Sequence, residues 1–263
     1  MRISFIGVGS MGGALLERCL EAGAVLKDDI LACDVNESRL GELKGRLKIN
    51  VTKDSKKCAE FGDVVIIAVM PKQVRRVIEE IGTRISESKT VISVAALVST
   101  RSIENILMKN VGVVRVMPNI ASLVGSGFIL VSFGKFIQEE KKAQIKELLS
   151  AWGEYREIEE QEMELSTVIS AMGPTYFFPF LDILTSFGKE NGLSEREVKE
   201  AVGFTLKGTA DLTMKTPRPV GELRDMIPSQ PLHEKEQELV SIFREALYKT
   251  LKELRTASNK ITQ

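Results

Sequence analysis

Gly7, Gly9 and Gly12 stand in the order Gly-x-Gly-x-x-Gly within the run RISFIGVGSMG, and an acidic residue, Asp34, follows about 20 positions on. These residue types at this spacing suit the binding of a pyrophosphate. Gly7 permits a tight exit from a strand, Gly9 lets the backbone approach the anion without a Cβ in the way, and Gly12 lets the following helix lie close. The helix-compatible run MGGALLERCLEAG comes next, so the backbone N–H groups at Ser10 and Met11 and the positive end of the helix dipole face the phosphates. The loop then needs no Lys or Arg, and it has none. Asp34 ends the next apolar run, where a carboxylate takes both ribose hydroxyls of an adenosine. A 2′-phosphate there would meet a like charge at about 4–5 Å, a repulsion of roughly 3–4 kcal/mol at an effective dielectric near 20. The pattern predicts an NAD(P)H site with NADH favoured. Arg39, one helical turn further on, either softens that preference or is an ordinary surface side chain.

Positioning such residues takes alternating strands and helices. Apolar, β-rich runs recur at Ile3–Val8, Ile30–Cys33, Val64–Val69, Val91–Ala95, Val111–Val116 and Phe128–Val131, with helical periodicity between most of them. Gln138–Ala151 reads as an amphipathic helix closed by Gly153, and Glu154–Glu159 as a last edge strand. This predicts an α/β fold, a Rossmann-type doubly wound sheet over residues 1–160. Four further loops fall at its ligand-binding edge: Ala68-Val69-Met70-Pro71, Ala95-Ala96, Met117-Pro118-Asn119 and Gly125-Ser126-Gly127. The Asn119 amide suits a nicotinamide carboxamide or ribose, or else Pro118-Asn119 is simply a turn.

Beyond Glu160 the strand rhythm stops. Glu162–Gly192, Ser194–Lys215 and Glu234–Arg255 carry helical spacing, and Ser194 with Glu197 makes a capping box. Residues 161–263 are therefore expected to form an all-helical domain. The run Tyr176-Phe177-Phe178-Pro179-Phe180-Leu181 carries more apolar surface than a helical layer of this size readily buries, which points to a dimer or larger homo-oligomer. The apolar face of Glu234–Arg255 packs either on its own domain or on a partner, and Asn259–Gln263 reads as a frayed tail.

Composition narrows the chemistry. Thirty-six basic residues balance thirty-six acidic ones, which argues against recruitment by nucleic acid or by an anionic membrane. The longest purely apolar run, Val64–Met70, is too short to span a bilayer, and Met1 leads straight into a strand pattern with no room for a signal peptide. Three cysteines without metal-ligand spacing suit reduced thiols in the cytoplasm, and no metal site is expected. A single histidine, His233, excludes most His-dependent catalytic schemes.

Several runs carry a resemblance. GVGSMG at Gly7–Gly12, AVMPKQ at Ala68–Gln73, VISVAA at Val91–Ala96, VVRVMPNIASLVGSG at Val113–Gly127 and AMGPTYFFPFLDILTSFGKENGL at Ala171–Leu193 resemble the pyrroline-5-carboxylate reductases over nearly the whole chain. The resemblance implies NAD(P)H-dependent reduction of a cyclic imine, pyrroline-5-carboxylate, to the amino acid proline. It also implies interleaved helical domains in a dimer, and cofactor contacts at the glycine turn, Asp34, Ala68–Pro71 and Ala95–Ala96. Against the family pattern, Asp34-Val35 replaces a polar pair such as Asn-Arg, Met70 replaces a common Lys, and Ser55 stands where an Asn is common. The family's substrate segment, Ser-Pro-Gly-Gly-Thr-Thr, should follow Leu223–Ile227, but here the chain reads Pro228-Ser229-Gln230-Pro231-Leu232-His233. Only Ser229 survives, as a candidate substrate anchor or as an ordinary loop serine before a helix. Thr175, after Gly173-Pro174, is the candidate to compensate from a helix N-terminus.

An imine that binds already protonated needs no acid, which suits a chain with one histidine; a ketone reductase normally shows one. Two other readings stay open. The chain is a cofactor-binding regulator without reductase activity, or a reductase of a different imine or keto substrate read by Pro228–His233.

Overall fold

The computed structural model describes residues 1–262 and divides into two compact units, Met1–Met172 with the chain's end from Thr250, and Gly173–Lys249. The first unit carries eight strands: β1 Ile3–Ile6, β2 Ile30–Cys33, β3 Asn50–Thr52, β4 Val64–Ile67, β5 Thr90–Ser93, β6 Gly112–Met117, β7 Gly127–Phe133 and β8 Gly153–Glu157. They form one sheet in the order β3-β2-β1-β4-β5-β6-β7-β8. Six helices fill the connections: α1 Ser10–Glu21, α2 Glu37–Leu47, α3 Ser55–Phe61, α4 Pro71–Ile81, α5 Thr100–Leu107 and α6 Glu139–Ser150. This is the doubly wound α/β arrangement expected from the alternating runs.

Side-chain alternation along each strand sends residues to two cores. Ile3, Phe5, Ile30, Val64, Ile66 and Val114 pack with Leu15 and Leu16 of α1, Leu40 and Leu43 of α2, and Leu148 and Trp152. Ile6, Cys33, Val65, Ile67, Val91 and Val113 pack with Cys58 of α3, Ile78 of α4 and Ile103 of α5 on the other face. A strand covered on both faces has no polar side, which is why Val64–Ile67 reads as uninterrupted apolar sequence.

The strand order reverses between β1 and β4. Ile6 lies beside Ile67, and the loops that leave these two neighbours open a crevice at their carboxyl ends. Two features depart from the expectation. The edge strand β3 is three residues with a single branched apolar side chain, Val51, too little for a periodic signal. And β7 runs antiparallel to β6, so Gly125–Gly127 precedes a strand instead of following one; the reversal still places this turn at the carboxyl edge, since Met117 at the end of β6 pairs with Leu130 near the start of β7.

After β8, a 3₁₀ turn at Glu160–Glu162, the short helix α7 Met163–Ser166 and a π-helical turn at Thr167–Ala171 complete the first unit's main segment. The second unit holds α8 Gly173–Glu190, α9 Glu195–Lys215, α10 Val220–Asp225 and the first half of α11 Glu236–Thr262. The capping box forms as expected: Ser194 N donates to Glu197 Oε2 at 2.8 Å, and Glu197 N to Ser194 Oγ at 3.3 Å. α8 and α9 approach closely at Gly188, where a Cβ would lie 2.5 Å from a Val198 methyl. Many of their apolar side chains remain uncovered, with Phe177, Phe180, Phe187 and Phe204 all at least half exposed. The end of the chain corrects the expected frayed tail, because α11 continues to Thr262; Gln263 lies outside the described residues. By length and composition the helical run Glu160–Glu190 is long and apolar enough to cross a membrane, which a search for purely apolar runs misses because polar residues punctuate it.

Candidate cofactor and active site

The three motif glycines differ in what requires them. Gly7 has φ +92°, and a Cβ there would lie 2.6 Å from the Ala68 carbonyl oxygen; at Gly12 a Cβ would lie 2.1 Å from the Gly7 carbonyl oxygen. Both are demanded by the chain's own packing. At Gly9 a Cβ would meet nothing within 4 Å, so the space beside it is open. Gly9 is also the N-cap of α1, extended and without a side-chain cap, and the first helical bond is Gly13 N to Gly9 O at 2.9 Å. The N–H groups of Ser10, Met11 and Gly12 precede that bond and have no intrahelical acceptor, no acid occupies the first turn, and Ser10 is exposed. An anion fits here.

Asp34 has partners within the protein. Its Oδ2 accepts from Val8 N at 2.8 Å and its Oδ1 from Asn36 N at 2.9 Å, so the carboxylate braces the glycine turn while each oxygen keeps a further lone pair. Arg39 also bonds to the glycine turn. Its Nε donates to Val8 O at 2.9 Å, and its other nitrogens meet Glu42 at 2.7 Å and Glu17 at 3.9 Å. Gly13 makes room for this, since a Cβ there would lie 2.4 Å from the Arg39 guanidinium. Val8 is thus held from both sides, by Asp34 and Arg39, and the turn is pre-shaped.

A cleft of about 350 Å³ opens beside the turn, lined by Gly7, Gly9, Asp34, Ser55, Ala68 and Val69 among the expected residues. Ser55, the first residue of α3, donates its hydroxyl to Glu80. Pro71 starts α4 just past the cleft, where its missing N–H costs nothing. Sequence reading missed Lys53, Gln73, Arg76, Val77 and Glu80, which also line it. The last four fall at helical spacing on one face of α4, a signal available once a helix was placed after Ala68–Pro71. Lys53 forms an ion pair with Glu37 at the start of α2.

Ala95, Ala96 and Asn119 are not in that lining. Ala95 is buried, and Ala96 packs beside Met117, Leu130 and Met163. Asn119 is also buried; its Oδ1 accepts from Ala121 N at 3.2 Å and its Nδ2 donates to Ser170 O at 3.3 Å, joining the loop after β6 to the π-helical turn. Close by in sequence, Arg115 is 2% exposed, with Glu160 at 2.8 Å and Glu164 at 3.2 Å; the second oxygen of Glu160 accepts from the Thr100 hydroxyl at 2.7 Å. The three cysteines are all buried, free thiols. Burial pushes the Cys19 thiol up to about 12, and the neighbouring Cys33 together with burial raises Cys58.

In the second unit, Thr175 is exposed in the first turn of α8. Ser229 is exposed and lines a shallow apolar hollow of about 360 Å³ with Ile227, Pro231, Leu232 and Leu239. The loop folds on itself, Gln230 Nε2 donating to the carbonyls of Arg224 at 3.3 Å and Ile227 at 3.2 Å, and then enters a 3₁₀ turn at His233–Lys235. No residue of 228–233 adopts positive φ, so the backbone forms no left-handed nest for an anion.

Comparison with known proteins agrees with this architecture. Residues 2–97 match the family described as NADP oxidoreductase, coenzyme F420-dependent, and residues 160–231 match the family described as pyrroline-5-carboxylate reductase dimerisation. A pyrroline-5-carboxylate reductase of Methanosarcina acetivorans is 33% identical over 228 residues, 87% of this chain and 84% of the relative. Pyrroline-5-carboxylate reductase 1 of Bacillus subtilis is 32% identical over 229 residues, 87% of this chain and 77% of the relative. The crystal structure of Plasmodium falciparum pyrroline carboxylate reductase with NADP bound superposes with a TM-score of 0.81 at 26% identity, covering 100% of this chain and 97% of the other.

Proposed function

This chain belongs to the pyrroline-5-carboxylate reductase family, an oxidoreductase family, and from that premise we propose that it reduces a cyclic imine, pyrroline-5-carboxylate, to proline at the expense of NAD(P)H, NADH being favoured. The observation that carries the reading is Gly9: the protein's own packing explains Gly7 and Gly12, whereas the open space at Gly9 is explained by a pyrophosphate. On this reading residues 1–160 hold the dinucleotide and residues 161–263 provide the dimer and the substrate end.

When bound, NAD(P)H supplies the hydride. The chain's own work is placement. The free N–H groups at Ser10, Met11 and Gly12 take the pyrophosphate. Asp34 holds the turn and offers its remaining lone pairs to the ribose. Ser55, Val69 and Pro71 shape the adenosine end, and Ala95, Ala96 and Asn119 the nicotinamide end. An imine that arrives protonated loses its charge on hydride addition, so no general acid is required and orientation supplies most of the rate. Ser229 and Thr175 are the anchors proposed for the substrate carboxylate. NADH is favoured because Arg39, the one cation near the ribose in sequence, is engaged by Val8, Glu42 and Glu17.

The self-bonded loop at Pro228–His233, without a nest, favours a second reading in which a different imine or keto acid is the better substrate. Steady-state NADH oxidation with pyrroline-5-carboxylate and with its six-membered homologue separates the two. Turnover of the five-membered ring above the homologue supports the first; turnover of neither, with dinucleotide binding intact, rejects it and leaves a different imine or keto substrate or a regulatory role.

A further inference from the structure

Two cations line the adenosine cleft, and they differ in what they touch. Lys53, just past β3, is ion-paired with Glu37, the first residue of α2, and both side chains are more than half exposed. Arg76, on α4, makes no ion pair among the described residues. Val35 is 86% exposed and uncharged, and Arg39 is turned onto the back of the glycine turn. Lys53 is therefore the cation that both lines the cleft and is joined, through Glu37, to the loop at Asp34–Asn36 where the ribose is read.

Resting on the assignment of this cleft to a dinucleotide, we propose that Glu37 sets the nucleotide preference by holding Lys53. While the pair is closed, the Lys53 charge is spent on Glu37 and does not offset Asp34 on the 2′ side of the ribose, and NADH is preferred. When it opens, the Lys53 ammonium reaches a 2′-phosphate and NADPH is accepted. The exchange is easy because an exposed ion pair contributes little to folding, and a 2′-phosphate offers the ammonium more negative charge than one carboxylate. The hydrogen bond from Lys53 already holds the Glu37 carboxyl below its ordinary range, which agrees with an ammonium drawn to that side.

The experiment is a fluorescence titration of the full chain with NADH, NADPH, 5′-AMP and 2′,5′-ADP; the last two omit the nicotinamide and so read the adenosine end whatever the substrate is. Glu37→Gln should tighten NADPH and 2′,5′-ADP about fivefold and leave NADH and 5′-AMP within about twofold. Lys53→Ala should weaken the same two phosphorylated ligands by a similar factor, Lys53→Arg should restore them, and Glu37→Gln should have no effect in the Lys53→Ala background. Equal changes for both dinucleotides, a Glu37→Gln effect that persists without Lys53, or a selective loss of NADPH on Arg76→Ala instead of Lys53→Ala would each overturn the assignment. Binding of all four ligands with no imine reduction would reject the proposed reaction and leave this inference standing.

Discussion

Gly9 and Gly7 sit two residues apart and should respond in opposite ways to the same substitution. Gly7→Ala forces a side chain into φ +92° and onto the Ala68 carbonyl, so it should destabilise the first unit by about 1–3 kcal/mol or more, read as a lowered Tm. Gly9→Val adds a side chain to open space, so Tm should hold within a degree or two while the Kd for NADH rises at least tenfold. Asp34 calls for a different expectation from the one its position in sequence suggests. A ribose ligand alone would weaken NADH and spare NADPH, but loss of its bond to Val8 N should also loosen the turn. Asp34→Ala should therefore weaken NADH and NADPH together by about 1–3 kcal/mol, besides narrowing the gap between them, in parallel titrations. The motif residues were legible because their spacing is local. Lys53 and Arg39 were not, since their roles depend on where Glu37, Glu42 and the Val8 carbonyl lie in space.

Among the elements, β6 carries the most consequential side chain. Arg115 joins the strand to Glu160 and Glu164, and Glu160 in turn takes the Thr100 hydroxyl at the start of α5. Removing one partner of a buried ion pair typically costs about 3–5 kcal/mol, so Arg115→Leu should lower the unfolding free energy by about that amount, read from denaturant titration, without direct loss of any group in the cleft. A second element-level expectation concerns acid. The Arg46 hydrogen bond holds the Glu17 carboxyl of α1 below its ordinary value in the folded state. Its contribution to stability is thus fully present above the unfolded value near 4.5 and is lost as pH falls through the lower folded value; Glu17→Gln should flatten the acid limb of the stability curve below the unfolded value. Strands β1, β2 and β4 to β6 were readable because a strand covered on both faces must be apolar throughout. The three-residue β3 and the reversed direction of β7 left no mark in periodicity, since a strand's composition does not depend on the direction of its neighbour.

For the whole molecule, the exposed apolar side chains of α8 and α9 belong to the segment that matches a dimerisation family, and a second copy is the expected cover. Sedimentation should give a dimer or larger at micromolar concentration, and Phe180→Glu should shift it toward monomer with a concentration-dependent fall in Tm. The apolar excess of this stretch was plain in the sequence, whereas the short α10 and the self-bonded loop at Pro228–His233 were not, because their bonds run within a few residues and follow no period. The molecule's single tryptophan, Trp152, is fully buried in the first unit, its indole N–H donating to the Leu15 carbonyl of α1 at 3.0 Å. The second unit holds only tyrosines among the strongly absorbing side chains and is built from helix alone. Tryptophan emission therefore watches the first unit, while circular dichroism at 222 nm reads the helices of both units. Melting one unlabelled sample by both signals tells whether the halves unfold together, and superimposable curves that move jointly when NADH is added would mean that occupancy of the cleft is felt through the entire polypeptide.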